Sequence, residues 1–547
     1  MKTFWFNTHR ELRGGLVPVM ELALGALLLI SQSAPASPPR VLEPTPGGIS
    51  PLPFMYGHGT GPGGTQIAPS AGFGGGPFQA VVSTNVSGPW VPVGPQFLTN
   101  YFTLSFTNVA PVCFYRIKGS DPAYDGAISC ANCHGYDGVA NVWAYDTWKN
   151  TGHAKAFDNL PAFAQTNASC LPCHSVGFGY PNGYKVNGNP ILRGVQCENC
   201  HGPGGNHARN RSNPAKYPAV ELTSKLCGGC HNWPQNPIYE DWETSAHAEL
   251  NPELVLPFTT GDTNRMTSCG ACHGGAVRMA MLKGHALPKG AEADMGVVCA
   301  NCHEPHGDST NTAALRNPLF STNDYTYSTS GSFSTQYVAS VQVCAQCHNS
   351  RGATWTSTSR PPHHSPQYNM LIGTAGLLAS GLKPNQPAAH ALIITNQCVG
   401  CHMQTAPYVS EEQPTVTGHT FKVTSLESCL KCHPNPEGLV KFTTGAISNQ
   451  IQQVKTALDF WAVAKAPPAL QSKYGTRSWE YTTPGSLSPG GTGPTTSEQA
   501  LIPDTIKKAR FDLYLVLYDG SYGVHNAPFA TTLLDAAQNW VWAELMK

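Results

Sequence analysis

The chain has 547 residues, enough for two or three domains, with 33 Lys+Arg against 33 Asp+Glu and only 12% charged residues. A zero net charge leaves no electrostatic footprint for a polyanion, and no second long apolar run follows the N-terminus, which excludes a composition-driven nucleic-acid binder and an integral helical membrane protein. What stands out is 19 Cys and 21 His beside 55 Gly and 46 Pro, a chain that needs ligands and loops more than a conventional core.

Residues 1–36 read as a removable signal peptide: Lys2, Arg10 and Arg13 form a basic start, 22–30 is an apolar stretch, and Ala34-Pro35-Ala36 fits a small-x-small cleavage site. The mature protein is then expected to be exported, with no transmembrane segment after cleavage. Residues 37–120 carry Gly, Pro, Ser and Thr clusters between strand-like runs at 78–83, 102–106 and 112–117, which predicts a small β-rich, sandwich-like accessory domain. Cys113 lies in the last of these runs and reads as a buried inert thiol.

From residue 121 the pattern changes. Eighteen of the 19 Cys fall into nine copies of C-x-x-C-H: Cys130/Cys133/His134, Cys170/Cys173/His174, Cys197/Cys200/His201, Cys227/Cys230/His231, Cys269/Cys272/His273, Cys299/Cys302/His303, Cys344/Cys347/His348, Cys398/Cys401/His402 and Cys429/Cys432/His433. Chance at this composition gives roughly 0.03 occurrences. The spacing suits haem c: two thiols one turn apart form thioethers to the two vinyl groups of one porphyrin, and the adjoining His becomes the proximal iron ligand. Zinc would need paired half-sites closing a four-ligand shell, with no reason for a His after every second Cys. An exported chain with this many Cys would otherwise suggest disulfides, but the fixed motif argues against them. Nine covalent haems are therefore expected, at roughly 34 residues per haem, so that porphyrins supply much of the core of a mostly α and irregular domain over 121–437.

Whether such a protein conducts or catalyses depends on the second axial ligand, because an iron with two strong protein ligands has no room for substrate. Twelve histidines lie outside the motifs. His9 leaves with the signal peptide and His58 sits in a Gly/Pro-rich stretch. The remainder are the distal candidates: His153, His207, His247, His285, His306, one of the adjacent pair His363/His364, His390, His419 and His525. Supply thus equals demand. His153 and His247 share one context, Trp-x4-His-Ala, upstream of the second and fifth motifs. Each candidate could instead be an ordinary hydrogen-bonded histidine, and His306 a propionate partner.

These strings, together with Cys197-Glu-Asn-Cys-His-Gly-Pro-Gly followed by His207 and with Cys302-His-Glu-Pro-His306-Gly, resemble the multihaem cytochromes related to hydroxylamine oxidoreductase, its tetrahaem electron-accepting cytochrome and the pentahaem ammonia-forming nitrite reductases. The resemblance covers about residues 121–547, and the string around His525 looks like the segment that returns a distal His to an early haem in the nitrite reductases. It implies haem c cofactors and electron transfer. Two departures weaken the catalytic side of it: no motif ends in Lys, and none of the 20 Tyr can be nominated as a haem cross-link.

Beyond the motifs, residues 438–547 are expected to form helices packing on the haem domain: Ile451, Val454, Leu458 and Trp461 follow helical spacing, as do Ile506, Ala509, Leu513 and Val516, and a third helix starts near Ala527. Residues 470–500 read as a loop. The leading expectation is an exported, periplasmic or cell-surface electron carrier with bis-His haems, exchanging electrons with other cytochromes or quinol-linked donors. A homo-oligomer is compatible with it; a nucleic-acid partner is not. The alternatives are a reductase or oxidase of small nitrogen or sulfur oxyanions with one open haem, for which Arg193, Arg265 and Arg351 would be candidate anion contacts, and a subunit of an extracellular cytochrome polymer.

Overall fold

The computed structural model describes residues 55–60, 64–69, 78–83, 89, 91–97, 104–106, 114–118, 124–135, 144–180, 182–209, 212, 222–233, 236–307, 314–316, 343–394, 396–410 and 415–547. The signal-peptide reading of 1–36, His9 and Cys113 all fall outside them, as does the side chain of His58.

Six strands precede the motifs: β1 Met55–Thr60, β2 Gly64–Pro69, β3 Phe78–Ser83, β4 Val91–Phe97, β5 Leu104–Phe106 and β6 Phe114–Lys118. They pair antiparallel into two three-stranded sheets, ordered β1-β2-β5 and β4-β3-β6. The strand-like runs near 78, 102 and 112 thus coincide with β3, β5 and β6. Pro92 and Pro95 lie in β4, an edge strand where a missing N–H breaks no ladder. The register slips between Gln79 and Val81, where β3 changes its pairing with β4.

The motif-bearing segment is built from short helices separated by turns. Most open on or near a first motif Cys and end at or next to the motif His, as in Leu171–His174, Cys197–His201 and Gln397–His402. Two longer ones have conventional starts: Asn251 caps Pro252–Thr259 through Glu253 N at 3.0 Å, and Asp262 caps Thr263–His273 through Arg265 N at 3.0 Å. Apolar cores here are small and separate, for example Phe157, Leu171, Val176, Tyr184 and Leu192, or Leu254, Phe258, Met266 and Val277.

The C-terminal region is a helical bundle. A helix of 29 residues, Pro436–Ala464, is capped by Asn435, and Asp504–Asp519 and Ala527–Leu545 pack against it. Its buried Ile447, Ile451, Val454, Leu458 and Trp461 recur every three or four residues, and the faces of all three helices meet in one continuous core with Leu513, Phe529, Leu533 and Val541. These faces pack on one another, and the bundle also packs on the motif segment, Met370 entering its core and Phe511 and Leu515 clustering with Ala375, Trp355 and Leu377. Inside the expected loop 470–500 the chain forms a helix over Pro468–Tyr474, whose Leu470 and Tyr474 enter the same core. Asn526 docks the bundle on the motif segment, donating to the carbonyls of Met370 at 3.2 Å and Gln386 at 2.8 Å. Among the described residues no helix is long and apolar enough to cross a membrane.

Candidate functional site

Within each motif the backbone makes one helical turn. His231 N bonds Cys227 O at 2.9 Å, His303 N bonds Cys299 O at 2.9 Å and His433 N bonds Cys429 O at 2.8 Å. Residues three or four apart share a helix face, so both thiols and the imidazole can address one ligand.

Eight of the nine motif histidines face a second imidazole. The ring-centre separations are 6.5 Å for His134–His207, 6.0 Å for His231–His153, 6.0 Å for His201–His306 and 6.2 Å for His348–His247. They are 5.9 Å for His273–His363, 6.3 Å for His303–His419, 6.1 Å for His433–His390 and 6.2 Å for His402–His525. A metal–imidazole bond is about 2 Å long, so two imidazoles on opposite sides of one ion have centres roughly 6 Å apart. The donor set and its spacing fit a haem iron in each pair. No three His, Cys, Asp or Glu side chains converge into a metal cage among the described residues.

The partners come from distant sequence. His153 and His247 lie upstream of the second and fifth motifs but face the fourth and seventh. His390, eight residues before the eighth motif, faces the ninth, and His525 faces the eighth. Of the adjacent pair, His363 faces His273, and His364 stacks on it at 4.2 Å. His285 is exposed just past the helix Gly275–Lys283, and no described imidazole ring faces it or His174.

Two duplicated clamps hold His153 and His247. Trp148 Nε1 donates to Val195 O at 3.0 Å while Val195 N donates to His153 O at 3.0 Å; Trp242 Nε1 donates to Val297 O at 3.0 Å while Val297 N donates to His247 O at 2.7 Å. Two asparagines that motif reading passed over complete them. Asn199 accepts from Gln196 N at 2.8 Å and donates to Ser175 O at 2.9 Å; Asn301 accepts from Val298 N at 2.7 Å and donates to Gly275 O at 3.0 Å. The signal was an Asn before the second Cys, shared by the three C-x-N-C-H copies that start at Cys130, Cys197 and Cys299. Glu198 also has a structural task, accepting the backbone N–H groups of Asp125, Gly126 and Gly204, so that burial raises its pKa against those three donors.

Motifs also meet one another. Thiols lie within hydrogen-bonding reach across Cys130/Cys197, Cys173/Cys230, Cys227/Cys299, Cys272/Cys347 and Cys344/Cys398. Looser electrostatic contacts join Cys200 to Cys227, Cys302 to Cys347 and Cys401 to Cys429. Four of the five tight contacts link a motif to the next but one, not to its sequence neighbour.

Fourteen of the eighteen motif thiols enter these contacts; Cys133, Cys170, Cys269 and Cys432 are not among them. Cys133 is half-buried near the end of the helix Ala127–His134, and Cys432 is exposed just past the turn Glu427–Lys431, its N–H on Cys429 O at 3.1 Å.

Burial keeps most paired imidazoles neutral, the form that can bind a metal. It lowers His247 to about 4, helped by neighbouring His348, and lowers His363 to about 3, helped by His364. His525 goes the other way: burial opposes its charge, but the Asp519 carboxylate outweighs burial and raises it. Two of the three candidate anion-binding arginines have other partners. Arg193 stacks over the Phe157 ring at 4.9 Å, Arg351 donates to Ser268 O at 2.9 Å, and Arg265 is exposed.

Comparison with known proteins agrees with the donor set. The family described as "Cytochrome c554 and c-prime" matches residues 129–202 and 343–434. Cytochrome c-554 of Nitrosomonas europaea is 29% identical over 176 residues, 26% of this chain and 70% of that protein. Multiheme cytochrome MtrA of Shewanella baltica is 26% identical over 166 residues, again 26% of this chain, and the chain spans only 47% of MtrA. Among solved structures, the outer cell wall cytochrome OcwA is similar with a TM-score of 0.46 at 18% identity, covering 76% of this chain and 99% of that one.

Proposed function

We propose that this chain, a multihaem c-type cytochrome, carries electrons between redox partner proteins through nine covalently attached haems, most of them held between two histidines. The observation that carries the reading is the set of eight facing imidazole pairs. Haem c would supply a one-electron iron couple; the two motif thiols would attach it, and the facing imidazoles would hold the iron and keep substrate off it.

The thiol contacts define an order of neighbours. Numbered by motif, a path runs 1–3–4–6–7–8–9, with 2 branching from 4 and 5 from 7. Every motif has a neighbour, which is what hopping through the whole array requires. In this reading residues 1–36 direct export, 37–120 form a sandwich-like accessory domain, 121–437 hold the haems, and 438–547 brace them, in a periplasmic or cell-surface protein.

A second reading is a reductase of small nitrogen or sulfur oxyanions, with one iron open to substrate and the other haems feeding it; Cys173 of the second motif meets Cys230 of the fourth, a route by which the second could be fed. The test is haem quantification with cyanide and nitrite binding on the oxidised protein. Ligand-indifferent spectra favour the pure carrier; binding at one iron, abolished with Cys170→Ala/Cys173→Ala, favours the reductase. Fewer than nine haems per chain would overturn the haem count.

A further inference from the structure

The hydrogen bonds behind the facing histidines differ, and two of them end on carboxylates rather than on neutral acceptors. His174 Nδ1 bonds a backbone carbonyl, Ala156 O, at 2.7 Å; His402 Nδ1 bonds Phe421 O at 3.1 Å; His419 Nδ1 bonds Thr417 O at 3.2 Å; His363 Nδ1 meets the Ser365 hydroxyl at 3.0 Å. His525 Nδ1 instead bonds a carboxylate, Asp519 Oδ1, at 2.7 Å.

That carboxylate is buried, 3% exposed, and His525 is its only ion-pair partner among the described residues. Its other oxygen accepts from the Ser521 hydroxyl. The second carboxylate of this type, Glu304 behind His306 at 3.1 Å, is shared with Arg316 and with Lys283 at 4.0 Å, so much of its charge is already answered. Asp519 also ends the helix Asp504–Asp519, where the backbone dipole adds partial negative charge. Gly520, at φ 73°, stops that helix, and the turn beyond it brings His525 N onto Ser521 Oγ at 3.2 Å, fixing the ring against the carboxylate.

A carboxylate hydrogen-bonded to the far nitrogen of a ligating imidazole makes that ligand a stronger donor, and a stronger donor favours the ferric over the ferrous state. From these contacts we infer that Asp519 sets the iron between His402 and His525 at the low-potential end of the array and so makes it a gate. The consequence follows from connectivity. In the thiol contacts above, the ninth motif meets the eighth through Cys401 and Cys429, and the eighth meets the seventh through Cys344 and Cys398. Along this route electrons exchanged at the ninth haem step up through the eighth to reach the seventh. The inference rests on the reading that His402 and His525 flank one haem.

The test is a spectroelectrochemical titration of the full-length holoprotein and of Asp519→Asn, which keeps a hydrogen-bond acceptor but removes the charge. The expected result is a single-haem amplitude whose reduced-to-oxidised ratio at fixed potential rises on the order of tenfold, equivalent to about 59 mV for a one-electron couple, with the other amplitudes unmoved. Ser521→Ala, which leaves the carboxylate less shared, moves the same amplitude the opposite way and serves if Asp519→Asn does not accumulate. Electron paramagnetic resonance on the same samples separates tuning from propping: the iron stays low-spin in both variants. Superimposable titrations overturn the inference, as does a new high-spin iron in Asp519→Asn, which would make Asp519 a strut. A His525→Gly variant that gains no high-spin iron would overturn the ligand pairing underneath.

Discussion

The motif segment and the C-terminal bundle solve the same problem with different materials. Between residues 124 and 433 the chain runs in short helices and turns around imidazole pairs, with only small separate apolar clusters. Between 436 and 545 three helices bury a continuous core around Trp461, Leu513 and Phe529. The bundle also sequesters Arg510, which donates to the carbonyls of Trp479 and Glu480, both at 2.7 Å, and to Gln499, while Tyr514 donates to Glu480 at 2.6 Å. One half takes its order from a cofactor, the other from hydrophobic burial and satisfied polar groups.

The largest expected effect tests that division directly. Protein produced without haem attachment should lose protease resistance across 124–433, because ligand binding there is part of the folding free energy, while 436–545 stays helical and protected. Uniform protection, or uniform loss, in a cleavage map would erase the contrast. Next in size, Trp461→Ala should destabilise the bundle by about 3–5 kcal/mol, measured by thermal unfolding in the far ultraviolet, and leave the haem spectrum unchanged.

A smaller effect sharpens the comparison from the other side. Trp242→Phe removes the Nε1 bond to Val297 O that braces His247, a loss of about 1 kcal/mol that should appear as a raised high-spin fraction with no change in the bundle's unfolding.

The smallest effect is electrostatic. Asp512 is fully buried, with Oδ1 accepting from Leu377 N at 3.0 Å and Oδ2 without a partner, and burial raises its pKa well above the usual carboxylate range. A carboxyl raised on folding favours the folded state fully below its unfolded pKa, about 4, and that contribution is lost as pH rises toward the folded value. The bundle should therefore weaken on going from pH 4 upward, and Asp512→Asn should flatten the slope. An unchanged slope would show that Asp512 does not govern it.

The same contrast explains what was legible in the sequence. Bundle helices announce themselves through local periodicity, and the last begins at Ala527 as read, with Pro528 in its first turn. The helix Pro468–Tyr474 was hidden because Gly, Ser, Thr and Pro dominate its surroundings, while its two core residues are too few to set a period. In the motif segment the C-x-x-C-H strings were unmistakable, yet ligand pairing was not: His525 meets His402 across 122 intervening residues, and nothing local marks that partnership. His285 resembles its fellow candidates in sequence but lies exposed, and the choice of His363 over His364 depends on which ring the turn presents to His273. Nor does a repeated string show which motifs meet, as when Cys130 of the first motif meets Cys197 of the third.

The most direct test of the central claim is the electron paramagnetic resonance spectrum of the oxidised holoprotein, integrated against total haem iron. Eight facing imidazole pairs predict that at least eight irons of nine are low-spin and indifferent to added cyanide. A high-spin share clearly larger than one iron in nine would contradict the pairing on which the account is built.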